Sequence, residues 1–313
     1  MDIALVFPGQ GSQKPGMGKD LAEAHPAAAA TFAAADAALG MPLSALCFEG
    51  PAETLMETHN AQPALLTHGV AMWRLLSGHL GAHVRCTAGH SLGEFTAHVA
   101  AGTFDFETAV RLVRTRGELM QAAGTARPGA MAAILGDIDV RVRELCEQAS
   151  REAGAVVPAN YNSPGQVVVS GEVAGVDRLI ELAKEHGARK CIRLQVSGAF
   201  HSPLMDAARP GWTEALSSVA MHDARVPVYA NVTGRQVMMA RQSRRLLGEQ
   251  MTSPVRWTET IRNIAEDFPG IIFIELGPGN VLSGLIRKIV PDATVLPAGT
   301  AANVQAILDL QVA

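Results

Sequence analysis

The sequence predicts an α/β protein, on three observations. Short apolar runs alternate with segments of helical period, the pattern of a sheet interleaved with helices. Residues from about 129 to 197 change character and read as a separate small unit. A Gly-x-Ser-x-Gly stretch falls between a predicted strand and a predicted helix. The 313 residues, 48% hydrophobic and 18% charged, suffice for a sizeable core and argue against disorder. Aromatics are only 4%, and alanine runs such as Ala27–Ala30 stand in for bulk.

In chain order, Ile3–Phe7 is an apolar run ended by Pro8-Gly9, a buried first strand. Helical period is clearest from Ala61 to Leu80. Val84–Ala88 reads as a second strand and Leu92–Ala101 as a helix. Asp105 caps a further helix through Met120, with Phe106, Ala109, Val110, Val113, Gly117 and Met120 on one face. Then come a strand at Gly129–Leu135, a helix at Asp139–Ala153, extended segments at Ala155–Ala159 and Gln166–Ser170 joined by the turn-rich Asn160–Gly165, a helix at Val173–His186 and an extended Lys190–Val196. That order, β-α-β-β-α-β, is the ferredoxin-like pattern, inserted between α/β segments. The rest returns to α/β: Val226–Val232 extended, helices around Arg241–Gln250 and Thr258–Asp267, and a strand at Ile271–Leu276.

Several classes are excluded. A net charge of −4 is mild and of the wrong sign for a nucleic-acid binder. The charge-free stretch from 153 to 171 holds Pro158, Asn160, Asn162 and Pro164, which no membrane span would carry. The N-terminus has Asp2 and no basic region, so its apolar run reads as a strand and not a signal peptide. Cys47, Cys86, Cys146 and Cys191 are scattered, as expected of reduced thiols in a cytoplasmic protein with no zinc site.

In Gly89-His90-Ser91-Leu92-Gly93, small residues flank a serine at a strained strand-to-helix turn. Such a turn lifts the hydroxyl out of the sheet and aims the N–H of Leu92 at a developing oxyanion. A serine nucleophile needs a base. His98 lies roughly 10 Å along the helix and is too far. His90 adjoins Ser91 but should point away. His186 ends a helix, where a cation offsets the dipole. His222 has only Asp223 beside it. His201 remains, either as the base or as a structural histidine. The intervening acid of a hydrolase triad is not evident, because Glu172, Asp177 and Glu181 fall in the inserted unit. The glycines of the segment at 7–13 fit no nucleotide-binding loop, and Gly9 and Gly11 instead let the backbone at Gln10 approach an acyl oxygen.

The stretches FPGQGSQ at 7–13, QPALL at 62–66, GHSLGE at 89–94, RG at 116–117, NYNSPGQVVVSG at 160–171, GAFHSPLM at 198–205, SPVRW at 253–257 and ELGPGNVL at 275–282 run nearly end to end. In them the chain resembles the malonyl-CoA:acyl-carrier-protein transacylases of fatty-acid synthesis and, more widely, the acyltransferase domains of polyketide synthases. The resemblance implies a hydrolase-like parallel-sheet core, residues 1–127 and 198–313, carrying a ferredoxin-like subdomain at 128–197. It implies transfer of malonyl from malonyl-CoA to the phosphopantetheine thiol of acyl carrier protein through a seryl ester, by a cytoplasmic monomer without metal or cofactor. It makes Ser91 the nucleophile and His201 the base. The backbone carbonyl of Gln250 replaces the missing acid, and the N–H groups of Gln10 and Leu92 form the oxyanion hole. Arg116 binds the malonyl carboxylate, and Asn160 and Asn162 belong to the substrate site. Phe200 crowds the α-carbon, against methylmalonyl.

Helical geometry agrees on Arg116. At about 100° per residue, Arg111 lies opposite the apolar face and Arg114 about 90° away, while Arg116 flanks it, where a planar guanidinium can meet a carboxylate. Asn280 stands where many relatives have lysine. The basic run of Arg235, Arg241, Arg244 and Arg245 is either a docking patch for an acidic carrier or a solvated face. The alternatives are an acyltransferase serving a polyketide synthase or malonate decarboxylase, a serine thioesterase, and a non-catalytic scaffold.

Overall fold

The computed structural model describes residues 1–309, so residues 310–313 of the expected core segment lie outside the described residues. The chain opens with β1 (Ile3–Phe7), followed by four helices, α1 (Lys19–Ala24), α2 (Pro26–Leu39), α3 (Leu43–Glu49) and α4 (Ala52–Met56), and the long α5 (Thr58–Leu80). Next come β2 (Val84–Gly89), α6 (Gly93–Ala100) and α7 (Phe106–Ala126). The middle segment holds β3 (Gly129–Leu135), α8 (Asp139–Glu152), β4 (Val156–Ser163), β5 (Gln166–Glu172), α9 (Val173–Glu185) and β6 (Lys190–Arg193). The chain ends with α10 (Arg209–Ser218), β7 (Val228–Tyr229), β8 (Gln236–Val237), α11 (Ala240–Gln250), α12 (Trp257–Asp267), β9 (Ile272–Leu276), α13 (Val281–Ile289), β10 (Val295–Ala298) and α14 (Ala301–Leu308).

The strands form two sheets. The larger runs β10-β9-β1-β2-β7-β8 and is parallel except for its β7–β8 edge. The smaller, β4-β5-β3-β6, is antiparallel throughout. β1 is buried on both faces, as a central parallel strand must be: Ile3, Leu5 and Phe7 pack with α2, α5 and α7, while Ala4 and Val6 pack with α12 and α13. The small sheet rests one face on α8 and α9 through Ala132, Ile134, Val167 and Val169. Its other face, through Met131, Ala133 and Val168, joins the main core. The two sheets therefore share apolar packing, and the seam between them is where the functional residues gather.

Three expectations change. Asn160–Gly165 is mostly strand: β4 continues to Ser163, and only Pro164-Gly165 turns. Pairing of Asn160, Tyr161 and Ser163 with β5 supplies the hydrogen bonds that the local turn residues do not announce. The extended segment at 190–196 leaves the sheet after Arg193, and the expected strand at 226–232 shrinks to two residues. Helices α1 to α4 carry no sequence signal of comparable clarity, because alanine occupies both faces of α2.

Candidate active site

Parallel register builds the site. β1 and β2 are neighbours with Phe7 opposite Gly89, so the loops leaving both strands emerge side by side. His90 N–H donates to Phe7 O at 3.0 Å. Gly9 packs so closely that a Cβ there would lie 2.4 Å from His90 O. Gln10 is thereby placed beside the Ser91 turn. Ser91 has φ 50°, the strained left-handed conformation expected of this turn. The turn closes tightly, since a Cβ on Gly89 would fall 1.9 Å from the carbonyl carbon of Gly93.

Ser91 Oγ and His201 Nε2 are 2.8 Å apart. His201, also at positive φ (57°), is reached through the segment after β6. Its Nδ1 faces two backbone carbonyls, Gln250 O at 3.0 Å and Ser253 O at 3.1 Å. Carbonyls only accept, so Nδ1 carries the proton and Nε2 is left bare toward the serine hydroxyl. Burial, and then the repulsion of Arg116, hold His201 far below the usual histidine range, at about 3. The ring is thus neutral and able to take a proton. Sequence reasoning expected the Gln250 carbonyl and missed its partner Ser253.

Arg116, on the flank of the apolar face of α7, does reach the cleft but is more deeply placed than that position suggests: it is 1% exposed. Its NH1 donates to Gln62 Oε1 and its NH2 to Gln250 Oε1, each at 2.8 Å, and NH2 lies 3.3 Å from Ser91 Oγ. Both firm acceptors are neutral amides, and Nε has no partner among the described residues. Burial lowers the guanidinium to about 10, and it stays cationic at neutral pH. Its hydrogen-bond acceptors are all neutral and Glu94 acts on it only through space, so this buried cation, beside a serine hydroxyl, still has donors to offer an anion.

A cavity of about 340 Å³ lies over these groups, lined by Gln10, Leu92, Met120, Asn160 and Phe200 together with Ser91, His201 and Arg116. The backbone N–H groups of Gln10 and Leu92 donate to no other protein atom among the described residues. Asn162 reaches the site through His90, whose Nε2 lies 2.8 Å from Asn162 Oδ1. His98 is buried against Thr103, and His186 caps its own helix on Leu182 O. Among the described residues, no group of three or more His, Cys, Asp or Glu side chains could hold a metal ion. Asn280 is exposed at the start of α13, and Arg235, Arg241 and Arg245 are exposed on and before α11.

Two further residues hold the turn. Asn231, just after β7, accepts from Ser91 N–H at 2.7 Å and donates to Gly89 O at 2.7 Å. Glu94, in the first turn of α6, is 1% exposed and accepts from Gln250 Nε2 at 2.6 Å. Their signals were present: an asparagine closing an apolar strand, and a carboxylate in a helix whose next residues, Phe95, Thr96 and Ala97, are all small or apolar enough to be buried.

Known proteins are similar to this one over nearly the whole chain. The family model described as acyl transferase domain matches residues 4–304. The malonyl CoA-acyl carrier protein transacylase of Bacillus subtilis (strain 168) is 47% identical over 288 residues, covering 92% of this chain and 90% of its own. The crystal structure of malonyl-CoA:acyl carrier protein transacylase from Xanthomonas oryzae pv. oryzae superposes with TM-score 0.93 at 45% identity, covering 99% of both chains. A malonyl-transacylase solved in complex with its type II polyketide-synthase acyl-carrier protein gives TM-score 0.94 at 40% identity, covering 98% of this chain and 99% of that one. With the serine turn, the histidine and the buried arginine set in one cavity, and with similarity from end to end, the chain belongs to the acyl transferase family.

Proposed function

We propose that this cavity carries malonyl between two thiols through an ester on Ser91. The enzyme is a malonyl-CoA:acyl-carrier-protein transacylase of fatty-acid synthesis. Ser91 Oγ attacks the thioester carbonyl of malonyl-CoA while its proton passes to His201 Nε2. The Gln10 and Leu92 N–H groups receive the oxyanion, a contribution of several kcal/mol in comparable sites. The C–S bond breaks, and the departing CoA sulfur takes the proton from His201. The phosphopantetheine thiol of the carrier protein then attacks the seryl ester, and the same steps run in reverse. Gln250 and Ser253 hold the base through their carbonyls, so no carboxylate need adjoin the histidine. The Arg116 guanidinium receives the malonyl carboxylate. Phe200 and Asn160 line the acyl end, and Asn162 steadies His90. The chemistry uses side chains and backbone donors alone, without metal or redox cofactor.

The same reading takes the parallel sheet as a hydrolase-like core, residues 1–127 and 198–313, and the segment 128–197 as a ferredoxin-like subdomain. The β-α-β-β-α-β connectivity and the antiparallel order β4-β5-β3-β6 support it. The protein would act as a cytoplasmic monomer. Its cysteines are free, three of them buried, and no helix among the described residues is long and apolar enough to cross a membrane.

The observation that carries this function is the buried Arg116 guanidinium beside the Ser91–His201 pair, since a simple esterase has no use for it. Peptide mass spectrometry after mixing with malonyl-CoA should find the malonyl ester on Ser91 in the native protein and none in Ser91→Ala. Undiminished transfer to carrier protein by Ser91→Ala would remove the mechanism.

A further inference from the structure

Glu94 lies beneath the reacting groups: its backbone N–H donates to Ser91 O at 3.1 Å, while its carboxylate bonds to none of the reacting atoms. Both hydrogen bonds of the side chain converge on one oxygen: Oε2 accepts from Gln250 Nε2 at 2.6 Å and from Asn231 N–H at 3.1 Å. Each partner then acts elsewhere. Gln250 presents its backbone carbonyl to His201, its Oε1 to Arg116 and its Nε2 also to Ser91 O at 3.0 Å. Asn231 clamps the serine turn through Ser91 N–H and Gly89 O. The logic of donors and acceptors makes Glu94 the fixed point. Arg116 offers only donors, and an ionised carboxylate only accepts. Between them the Gln250 amide has one orientation, oxygen to arginine and nitrogen to carboxylate.

We propose that Glu94 is a positioning residue for acyl transfer: its ionised carboxylate fixes Gln250 and Asn231, and through them the His201 base and the Ser91 turn. The inference rests on the reading of Ser91 and His201 as nucleophile and base.

A pH dependence follows. The charged group facing Glu94 is Arg116 of α7; α11 and the loop after β7 turn only neutral donors toward it. Burial pushes the carboxyl up to about 7, against the pull of the Gln250 and Asn231 bonds and of Arg116. His201 stays neutral far below that. An acid limb of acyl transfer near neutrality therefore belongs to Glu94 and not to the histidine.

The test is the pH profile of acyl-enzyme formation from malonyl-CoA, in the native protein and in Glu94→Gln. The native rate should fall as pH drops through about 7. Glu94→Gln should run at the native low-pH level throughout, with the limb gone, and about tenfold or more below the native rate at pH 8, since a shift of order 1 Å costs up to about 10²-fold. A limb that persists in Glu94→Gln, or a native rate at pH 8, would overturn the proposal. If Glu94→Gln fails to fold, Glu94→Asp carries the test: it keeps the charge but sets it back by one methylene. Its kcat should fall with KM for malonyl-CoA near native, and a native kcat would overturn the proposal. Absence of any ester on native Ser91 would end this inference and the proposed function together, whereas a normal native ester with an unchanged Glu94→Gln profile ends this inference alone.

Discussion

His201 has no acidic partner, and its environment explains how it can serve without one. An N–H shared between two carbonyls fixes the tautomer as a carboxylate would, and burial keeps the ring neutral. On the proposed mechanism, His201→Ala leaves the serine hydroxyl with no acceptor for its proton. Malonyl transfer should fall by a factor of order 10² to 10⁴ in a steady-state assay at neutral pH, the usual span for a positioned general base. A loss below about tenfold would make His201 a structural residue.

At the scale of elements, the serine turn depends on how closely β2 and α6 approach. A methyl at residue 89 would overlap the backbone of Gly93 at 1.9 Å and of Glu94 at 2.4 Å, and backbone cannot swing aside as a flexible side chain can. Gly89→Ala should therefore lower the melting temperature by several degrees and abolish acylation, even though the new group is apolar and buried; a native-like melt with full activity would contradict this. This turn was legible in the sequence because glycine spacing is a local signal. So were α7 with its Asp105 cap, whose carboxylate accepts from Thr108 N–H, and the strand–helix order of the middle segment. β4 was legible only in part. Asn160, Asn162, Ser163 and Pro164 spell a turn locally, and pairing with β5 overrides them. Asn231 and Glu94 stand out locally as polar residues in apolar surroundings, but their roles did not, because their partners lie more than a hundred residues away and no spacing rule links such positions.

The whole molecule carries several ionisable groups that it buries uncharged. His68 is pushed down to about 4, and His98 and His201 to about 3, chiefly by burial. Below pH 6.5 the unfolded chain binds protons that the native state refuses, so the stability these histidines supply above 6.5 drains away toward pH 3 to 4. Glu94, raised to about 7, works in the opposite sense between its unfolded value and 7. His90 is lowered by burial in the same sense, so these histidines against one carboxyl leave a net loss of roughly 2 kcal/mol or more per pH unit around pH 5 to 6. Thermal melts should show the midpoint falling by roughly 5 °C or more from pH 6.5 to 5; an unchanged midpoint would contradict the buried, neutral state of these rings. At this same scale the enzyme must choose its acyl group, and Arg116 is the residue assigned to the choice. The direct measurement is the rate of acyl transfer from malonyl-CoA and acetyl-CoA to carrier protein, in native enzyme and in Arg116→Ala. Malonyl transfer should drop by roughly 10²-fold or more, because a buried charge-assisted pair is worth a few kcal/mol. Acetyl transfer, which makes no such contact and leaves the native guanidinium without its anion, should hold or rise. Equal losses for the two donors would mean that Arg116 supports the fold and does not read the carboxylate.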